Sequence, residues 1–302
     1  VSAPERPKVI YVMGAGHSGS SILGVALGNC ADFFYAGEVE EWLAKSGNAR
    51  WGGTERTAFW SEVREQVHGA DELVGADVNR WVERSSALLR FDKWPARARL
   101  RPRYGRVAEE LLLAIARAAH AGHVVDTSHF PLRARELRQL PGIDLYILLL
   151  VRDPQAVVES NVRNISEHEV AERRFRILTM NGNLWLTYLL SVIVFLTHPR
   201  ERRLFVRHEE FIADPEGILR QILDKVGSRA PVPDLGSLQI HAPIQGNRLL
   251  GSDVIAVKRS TPGTPRWSLL TALLDVWRPV FARLRPAATA ARPPSSRPGG
   301  GA

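Results

Sequence analysis

The sequence predicts an α/β fold in which helices cover a central parallel β-sheet. Three observations lead there. Short apolar runs alternate with longer amphipathic stretches along the 302 residues. The apolar runs are nearly continuous, as strands buried on both faces require. Two of them end directly in helix-start signals: a Gly/Ser-rich turn after Met13 and an Asp-Pro pair at Asp153-Pro154.

Val9–Met13 reads as a buried parallel strand. Gly14, Gly16 and Gly19 then let the backbone turn sharply and bring its N–H groups close to an anion. Ser18, Ser20 and Ser21 add hydroxyl donors, and Ile22–Leu27 continues as a helix whose N-terminal N–H groups and dipole favour phosphate. A plain tight turn uses the same residue types. The loop is not a regular Walker A motif: Ser20 stands where the lysine belongs, and His17 is the only side chain in it able to become cationic.

Residues 38–106 hold little β-branched content and many Trp and Arg (Trp42, Trp51, Trp60, Trp81 and Trp94), and read as short helices and loops inserted on the substrate side. Tryptophans at this spacing more often pack between helices than form a binding surface. Val107–Ala119 is a helix, and His123–Asp126 a short strand ending in a carboxylate. Leu145–Val151 is the strongest strand pattern, and Asp153 caps the helix that Pro154 opens. Leu184–Thr197 is apolar, but its fourteen residues read as a buried core helix and fall short of a bilayer span. Arg203–Arg207 is a further strand, and Asp214-Pro215 starts the helix through Val226. Residues 231–266 are loop-like, and Trp267–Arg285 is an amphipathic helix bent at Pro279. The Ala/Pro/Ser/Gly-rich tail, residues 286–302, is too poor in apolar residues to order itself, which leaves residues 1–285 as one domain.

The net charge of +8 favours acidic ligands such as nucleic acid, an anionic membrane or a multiply phosphorylated cofactor. No Lys/Arg run with interleaved aromatics points to nucleic acid. Cys30 is the single cysteine, so an internal disulfide and a Cys-based zinc cluster are excluded, and a reducing cytoplasm suits the chain. Its place after an apolar helix makes it core filler rather than a nucleophile. The polar, Pro-containing Val1–Lys8 shows no signal-peptide pattern.

A second anion motif stands at Leu148–Ser160. Arg152 ends a strand, where open α/β sheets bind ligands, and Ser160 follows six residues after Asp153. Together they offer charge-assisted, directional bonds to one phosphate. A surface ion pair of Arg152 is the plainer alternative.

Both motifs resemble those of sulfotransferases that use 3′-phosphoadenosine 5′-phosphosulfate (PAPS). Gly16–Ser21, GHSGSS, is similar to that family's 5′-phosphosulfate loop, and LLLVRDPQAVVES at Leu148–Ser160 to its 3′-phosphate motif. Val206–Phe211 with Ala213-Asp214-Pro215 is similar to its R-Y-E-D-x-x-x-D-P segment. His241 followed by Gly246-Asn247-Arg248 is similar to the loop that bacterial members place over the cofactor. The resemblance runs from about residue 8 to 285. It implies a three-layer sandwich of the P-loop-like sulfotransferase fold and a bacterial enzyme of secondary metabolism. The implied donor is PAPS, the product adenosine 3′,5′-bisphosphate, and no metal is required. Gly16, His17, Ser18, Gly19, Ser20, Ser21, Arg152, Ser160, His208, Gly246, Asn247 and Arg248 would bind the cofactor.

The same resemblance makes Glu38, in Ala36-Gly37-Glu38, the catalytic base; an exposed acid beside Glu40 and Glu41 is the plainer reading. Asp126–Pro131 is similar to a bacterial D-S-S-K-x-P segment, with His129 in place of the lysine that reaches the transferring group. His17 stands where relatives carry Lys or Arg, and His208 replaces the Tyr of R-Y-E-D, which puts its contact in doubt. The expected catalytic set is therefore Glu38, His17 and His129. Two histidines in place of cations predict activity sensitive to pH near 6.5. The expected acceptor is a hydroxyl of a small molecule, a glycolipid or a natural product; the Trp/Arg-rich insertion and the helix Trp267–Arg285 suit a large amphiphilic one. Peripheral contact of the basic-ended helix Trp267–Arg285 with an anionic membrane, and a homo-oligomer, are compatible with the sequence. The competing readings are a P-loop kinase, with Asp126 as its metal-binding acid, and a non-catalytic nucleotide-binding relative.

Overall fold

A computed structural model of the chain describes residues 6–44, 53–73, 78–162, 170–246, 252–257, 259 and 269–285. β1 (Lys8–Gly14) leads into α1 (Ser20–Gly28), β2 (Phe33–Gly37), the single turn α2 (Glu41–Ala44) and α3 (Thr54–Glu65). Short 3-10 and π turns precede α4 (Trp94–Ala118). Then come β3 (His123–His129), α5 (Pro131–Leu137), β4 (Asp144–Val151), α6 (Pro154–Val162) and α7 (Val170–Thr197). β5 (Arg203–Arg207), α8 (His208–Ala213) and α9 (Pro215–Lys225) follow. β6 (Leu238–Gln239) and β7 (Val254–Ile255) pair antiparallel, and α10 (Trp277–Arg283) comes last.

Strands β1 to β5 form one parallel sheet in the order β2-β3-β1-β4-β5. Its central strand β1 is buried on both faces, so its side chains divide by parity. Val9, Tyr11 and Met13 pack into a layer made by α3, α4, α5, α7 and α10. Ile10 and Val12 pack against α1, α8 and α9. The result is the expected three-layer α/β sandwich. Trp42 and Trp60 are core side chains, whereas Trp94 is half exposed. Trp51 lies outside the described residues.

Several elements differ from their sequence patterns. β2 is an additional strand, five buried residues too short to show a period. α4 starts at Trp94, because Pro95 sits in its first turn and the exposed Pro102 leaves only a solvent-facing carbonyl unpaired. β3 continues past Asp126 to His129, so Asp126 is inside the strand. The apolar stretch expected at Leu184–Thr197 belongs to α7, twice as long. Ile177 and Met180 pack on the core and carry the helix through the weak formers Asn181-Gly182-Asn183. It is also only partly buried: an 18-residue window within Phe175–Thr197 has mean hydropathy 1.5 with 28% of it buried. The bent helix expected over Trp267–Arg285 is a 3-10 stretch, Leu269–Leu274, followed by α10. Pro279 is the third residue of α10, where an N–H has no intrahelical partner, so it bends nothing. The tail 286–302 lies outside the described residues.

In this strand order the connection after β1 runs to one side of the sheet and the connection after β4 to the other. The crevice at the carboxyl ends of β1 and β4 is therefore the topological switch point, where open α/β sheets take their ligands.

Candidate active site

Five parallel strands deliver five of the candidate groups to one edge. The loop Gly16–Ser21 follows β1, Glu38 follows β2, and His129 is the last residue of β3. Arg152 follows β4, and His208 follows β5.

The loop after β1 ends at Gly19, whose φ of 90° belongs to the left-handed region that glycine adopts freely. A Cβ there would lie 2.5 Å from His208 Nδ1, so glycine also lets the imidazole rest on the loop. Among the described residues no side chain caps α1, and its first turn holds no acid. Ser18, Ser20 and Ser21 are buried in the floor of the loop, and nothing stands within 4 Å of a Cβ built on Gly16. The first backbone N–H groups of α1, which have no helical partner, and the open space above Gly16 fit an anion.

His17 joins the two motifs. Its backbone oxygen accepts a hydrogen bond from Arg152 Nη1 at 3.0 Å, and its Nδ1 lies 3.4 Å from Ser160 Oγ. Its φ of 63° holds the side chain outward and exposed. Arg152 is thus tied to the first loop instead of a surface acid. The start of α6 is fixed by Asp153, whose Oδ1 accepts from the N–H groups of Gln155 and Ala156 at 3.0 and 3.3 Å. Asp153 N–H donates to Glu209 Oε1 at 2.8 Å, which locks this motif onto the segment that carries His208. His208 Nδ1 is buried and has no partner among the described residues. Burial and then the Arg152 charge hold its pKa below the usual imidazole value. A buried polar atom left unpaired beside Arg152 and Gly19 again fits a nucleotide phosphate or its ribose.

Glu38 is half-buried and held through its backbone. Its N–H donates to Gln245 O at 3.0 Å, and Ile244 N–H donates to Ala36 O at 2.9 Å. Gly37, with φ 84°, permits this approach, since a Cβ would strike the Gln245 carbonyl. His241 O and Ala242 O accept from Arg56 Nε and Trp60 Nε1, both at 2.9 Å, so the segment through Gly246 is strapped to α3 and to the end of β2. Asn247 and Arg248 lie outside the described residues. Glu40 is buried rather than exposed beside Glu38. Burial, then the Glu38 charge, pushes its carboxyl well above the usual range.

His129 lies beside Met13, with a φ of 56°. Its Nδ1 is 3.3 Å from Thr127 O, so in the neutral ring Nδ1 donates and Nε2 keeps the lone pair. Burial pushes its pKa down to about 4, helped by the charge of Arg84. The pH step expected from His129 near 6.5 therefore moves to about 4: in its desolvated position the ring stays neutral. Arg84 itself was not legible as a site residue. It is exposed, lies over the Phe130 ring at 5.6 Å and brings a permanent positive charge to the His129 neighbourhood. The only signal in the sequence is an arginine following an acid in the Trp/Arg-rich insertion.

Asp126, the acid on which a kinase reading depends, is fully buried. Its Oδ2 accepts from Arg133 Nη2 and Nε at 2.9 and 3.1 Å, and its Oδ1 from Ser128 N–H at 2.9 Å. Arg133 Nη1 continues to Glu83 Oε1 and the Tyr104 hydroxyl, both at 2.7 Å. Asp126 holds the insertion to the sheet. Cys30 is buried, which raises its thiol to about 11, as core filler would be.

A model of the sulfotransferase family matches residues 7–231, which take in both anion motifs and the segment around His208. The sulfotransferase domain of the Synechococcus PCC 7002 olefin synthase is similar over 90% of this chain and 95% of that one, at 15% identity and a TM-score of 0.52. A sulfotransferase domain from the curacin biosynthetic pathway is similar over 90% of both chains, at 18% identity and a TM-score of 0.46. A sulfotransferase from Alicyclobacillus acidocaldarius covers 83% of this chain and 89% of its own, at 16% identity and a TM-score of 0.40. No curated protein is detectably similar in sequence. The family match covers most of the chain, and the likeness to the Synechococcus domain shows the same fold. The chain belongs to the sulfotransferase family, and its parallel sheet is the core of that family's P-loop-like fold.

Proposed function

We propose that this chain transfers a sulfuryl group from PAPS to a hydroxyl of a small-molecule or lipid-linked acceptor, with Glu38 as general base. The observation that carries the reading is His17, which touches both Arg152 and Ser160 and so makes one site of two anion motifs 135 and 143 residues apart. When bound, PAPS supplies the activated sulfuryl group, and adenosine 3′,5′-bisphosphate is what remains of it.

The residues divide the work by position. The N-terminus of α1 with Ser18, Ser20 and Ser21 holds the 5′ end, without a lysine. Arg152 and Ser160 hold the 3′-phosphate, and His208 Nδ1 completes the wall between them. Gly246 follows the segment strapped to Glu38, and by family resemblance Gly246, Asn247 and Arg248 bind the cofactor. Glu38, at the end of β2, takes the acceptor's proton. His17 lies over the mouth of the loop. His129, neutral and with its lone pair at Nε2, cannot donate charge as a lysine would. Arg84 supplies the missing positive charge from the insertion, and His129 Nε2 is left to orient the acceptor hydroxyl.

The test is Glu38→Gln. Turnover of PAPS with a hydroxyl acceptor is expected to fall by ~10²–10⁴, while calorimetric titration with adenosine 3′,5′-bisphosphate is unchanged. Unaltered turnover removes Glu38 from the role. Tighter binding of ATP with Mg²⁺ than of the bisphosphate would favour the kinase reading instead.

A further inference from the structure

A surface helix in water carries polar or charged residues on its outer face. α7 departs from this. From Ile177 to Thr197 the sequence holds no Asp, Glu, Lys or Arg, yet the helix is buried only on the side of Leu184, Tyr188, Val194 and Phe195. Its other side exposes a stripe of Phe175, Leu178, Trp185, Ile193 and Leu196, flanked by the exposed Arg176, Thr179, Asn183 and Thr197. At ~100° per residue the five apolar residues fall within one arc of ~80°, and they run ~30 Å along the axis. The surface also widens. The 3-10 turns Ser85–Leu89 and Leu269–Leu274 pack on α7 and expose Leu89 and Leu273, and Phe91, Trp94 and Val276 stand on the segments that follow them. Among the described residues, every exposed large apolar side chain except Val254 belongs to α7 or to these neighbours. A patch of this kind marks an interaction surface.

Cations frame it. In the sequence Arg173, Arg174 and Arg176 precede the uncharged stretch, against the single acid Glu172, and Arg176 is exposed on the helix. Arg200, Arg202 and Arg203 follow it, against Glu201, and Arg202 is also paired with Asp144 at 3.0 Å. Arg138 reaches the same end, where it donates to Thr197 Oγ1 at 2.8 Å. A second copy of the chain would be a poor cover, because two α7 helices laid together bring arginine-rich ends against each other in either orientation. An anionic bilayer complements both features: the apolar stripe enters the headgroup boundary and the arginines meet lipid phosphates. Trp185, midway along, is a residue type that settles at that depth. A span is a different matter, since it would tear Leu184, Tyr188 and Phe195 out of the core they share with β1 and β4. We propose that α7 and the turns packed on it form an interfacial surface that seats the protein on anionic lipid, with the helix in the membrane plane.

Vesicle sedimentation of the full chain tests this, with phosphatidylglycerol–phosphatidylcholine vesicles set against pure phosphatidylcholine. The expected result is capture by the anionic vesicles, weakened by salt, and a ~10-fold or greater loss for Ile193→Glu/Leu196→Glu. Both side chains already face water, so the circular dichroism spectrum and thermal melt should match the parent. If that variant fails to fold, Leu178→Asn/Leu273→Asn makes the same test. Capture equal in parent and variant, or no capture of the parent, overturns the proposal. So does a dimer in analytical ultracentrifugation that the double variant converts to monomer, which would assign the face to a second copy.

Discussion

At the scale of single residues, the site is governed by which side chains are charged. His129 occupies a position where a cation is expected, yet desolvation keeps its ring neutral down to about pH 4. Its folded pKa lies below that of an exposed histidine, near 6.5. The folded state therefore binds fewer protons than the unfolded one between the two values. The stability this neutrality contributes is fully present above pH 6.5 and is lost as pH falls towards 4. Denaturant titrations of the parent between pH 7 and 4 should show a fall in unfolding free energy that is shallower in His129→Asn. Arg84 makes a complementary prediction. Arg84→Ala should lower kcat about tenfold or more, and Arg84→Lys, which keeps the charge, should recover most of it. Equal loss in both would reduce Arg84 to a packing role.

At the scale of elements, the insertion is attached to the sheet by charge as well as by apolar packing. Arg133 of α5 is shared by Asp126 of β3 and Glu83, with the Tyr104 hydroxyl of α4 donating to Glu83 at 2.5 Å. All four side chains are buried. Removing the one cation leaves two carboxylates in the interior, so Arg133→Leu is expected to cost about 3–5 kcal/mol, measured by chemical denaturation at pH 7. A change under 1 kcal/mol would mean that the carboxylates find another partner or a proton. Glu40 adds the opposite case. Its raised pKa means that the folded state holds a proton the unfolded state releases, so stability declines as pH rises past the ordinary carboxylate range. That is a standing cost beside Glu38, and only Glu38 of the pair stays half-open to the crevice.

At the scale of the molecule, the sheet and both anion motifs were legible because they are local. A strand running straight into a Gly/Ser turn, or into Arg-Asp-Pro, writes its chemistry in consecutive residues. β2 was not legible, since five residues carry no period and only the neighbouring β3 makes them a strand. Arg84 and the Arg133 network were hidden for a related reason: their meaning depends on contacts between residues far apart in sequence, as between Arg84 and Phe130 or Glu83 and Arg133. The length of α7 was obscured by Asn181-Gly182-Asn183, where tertiary packing overrides propensity.

The position of β1 has a consequence for how the chain is made. Lys8 is paired with His123 on one side and Asp144 on the other. A ribosome that has finished β1 must still add everything up to Val151 before both neighbours exist. At ~5–20 residues per second, that is roughly 7–30 s during which the strand that carries the Gly/Ser loop lacks at least one of its two mates. Synthesis of this protein thus passes through an interval in which Val9–Met13 must be sheltered by something other than its own sheet.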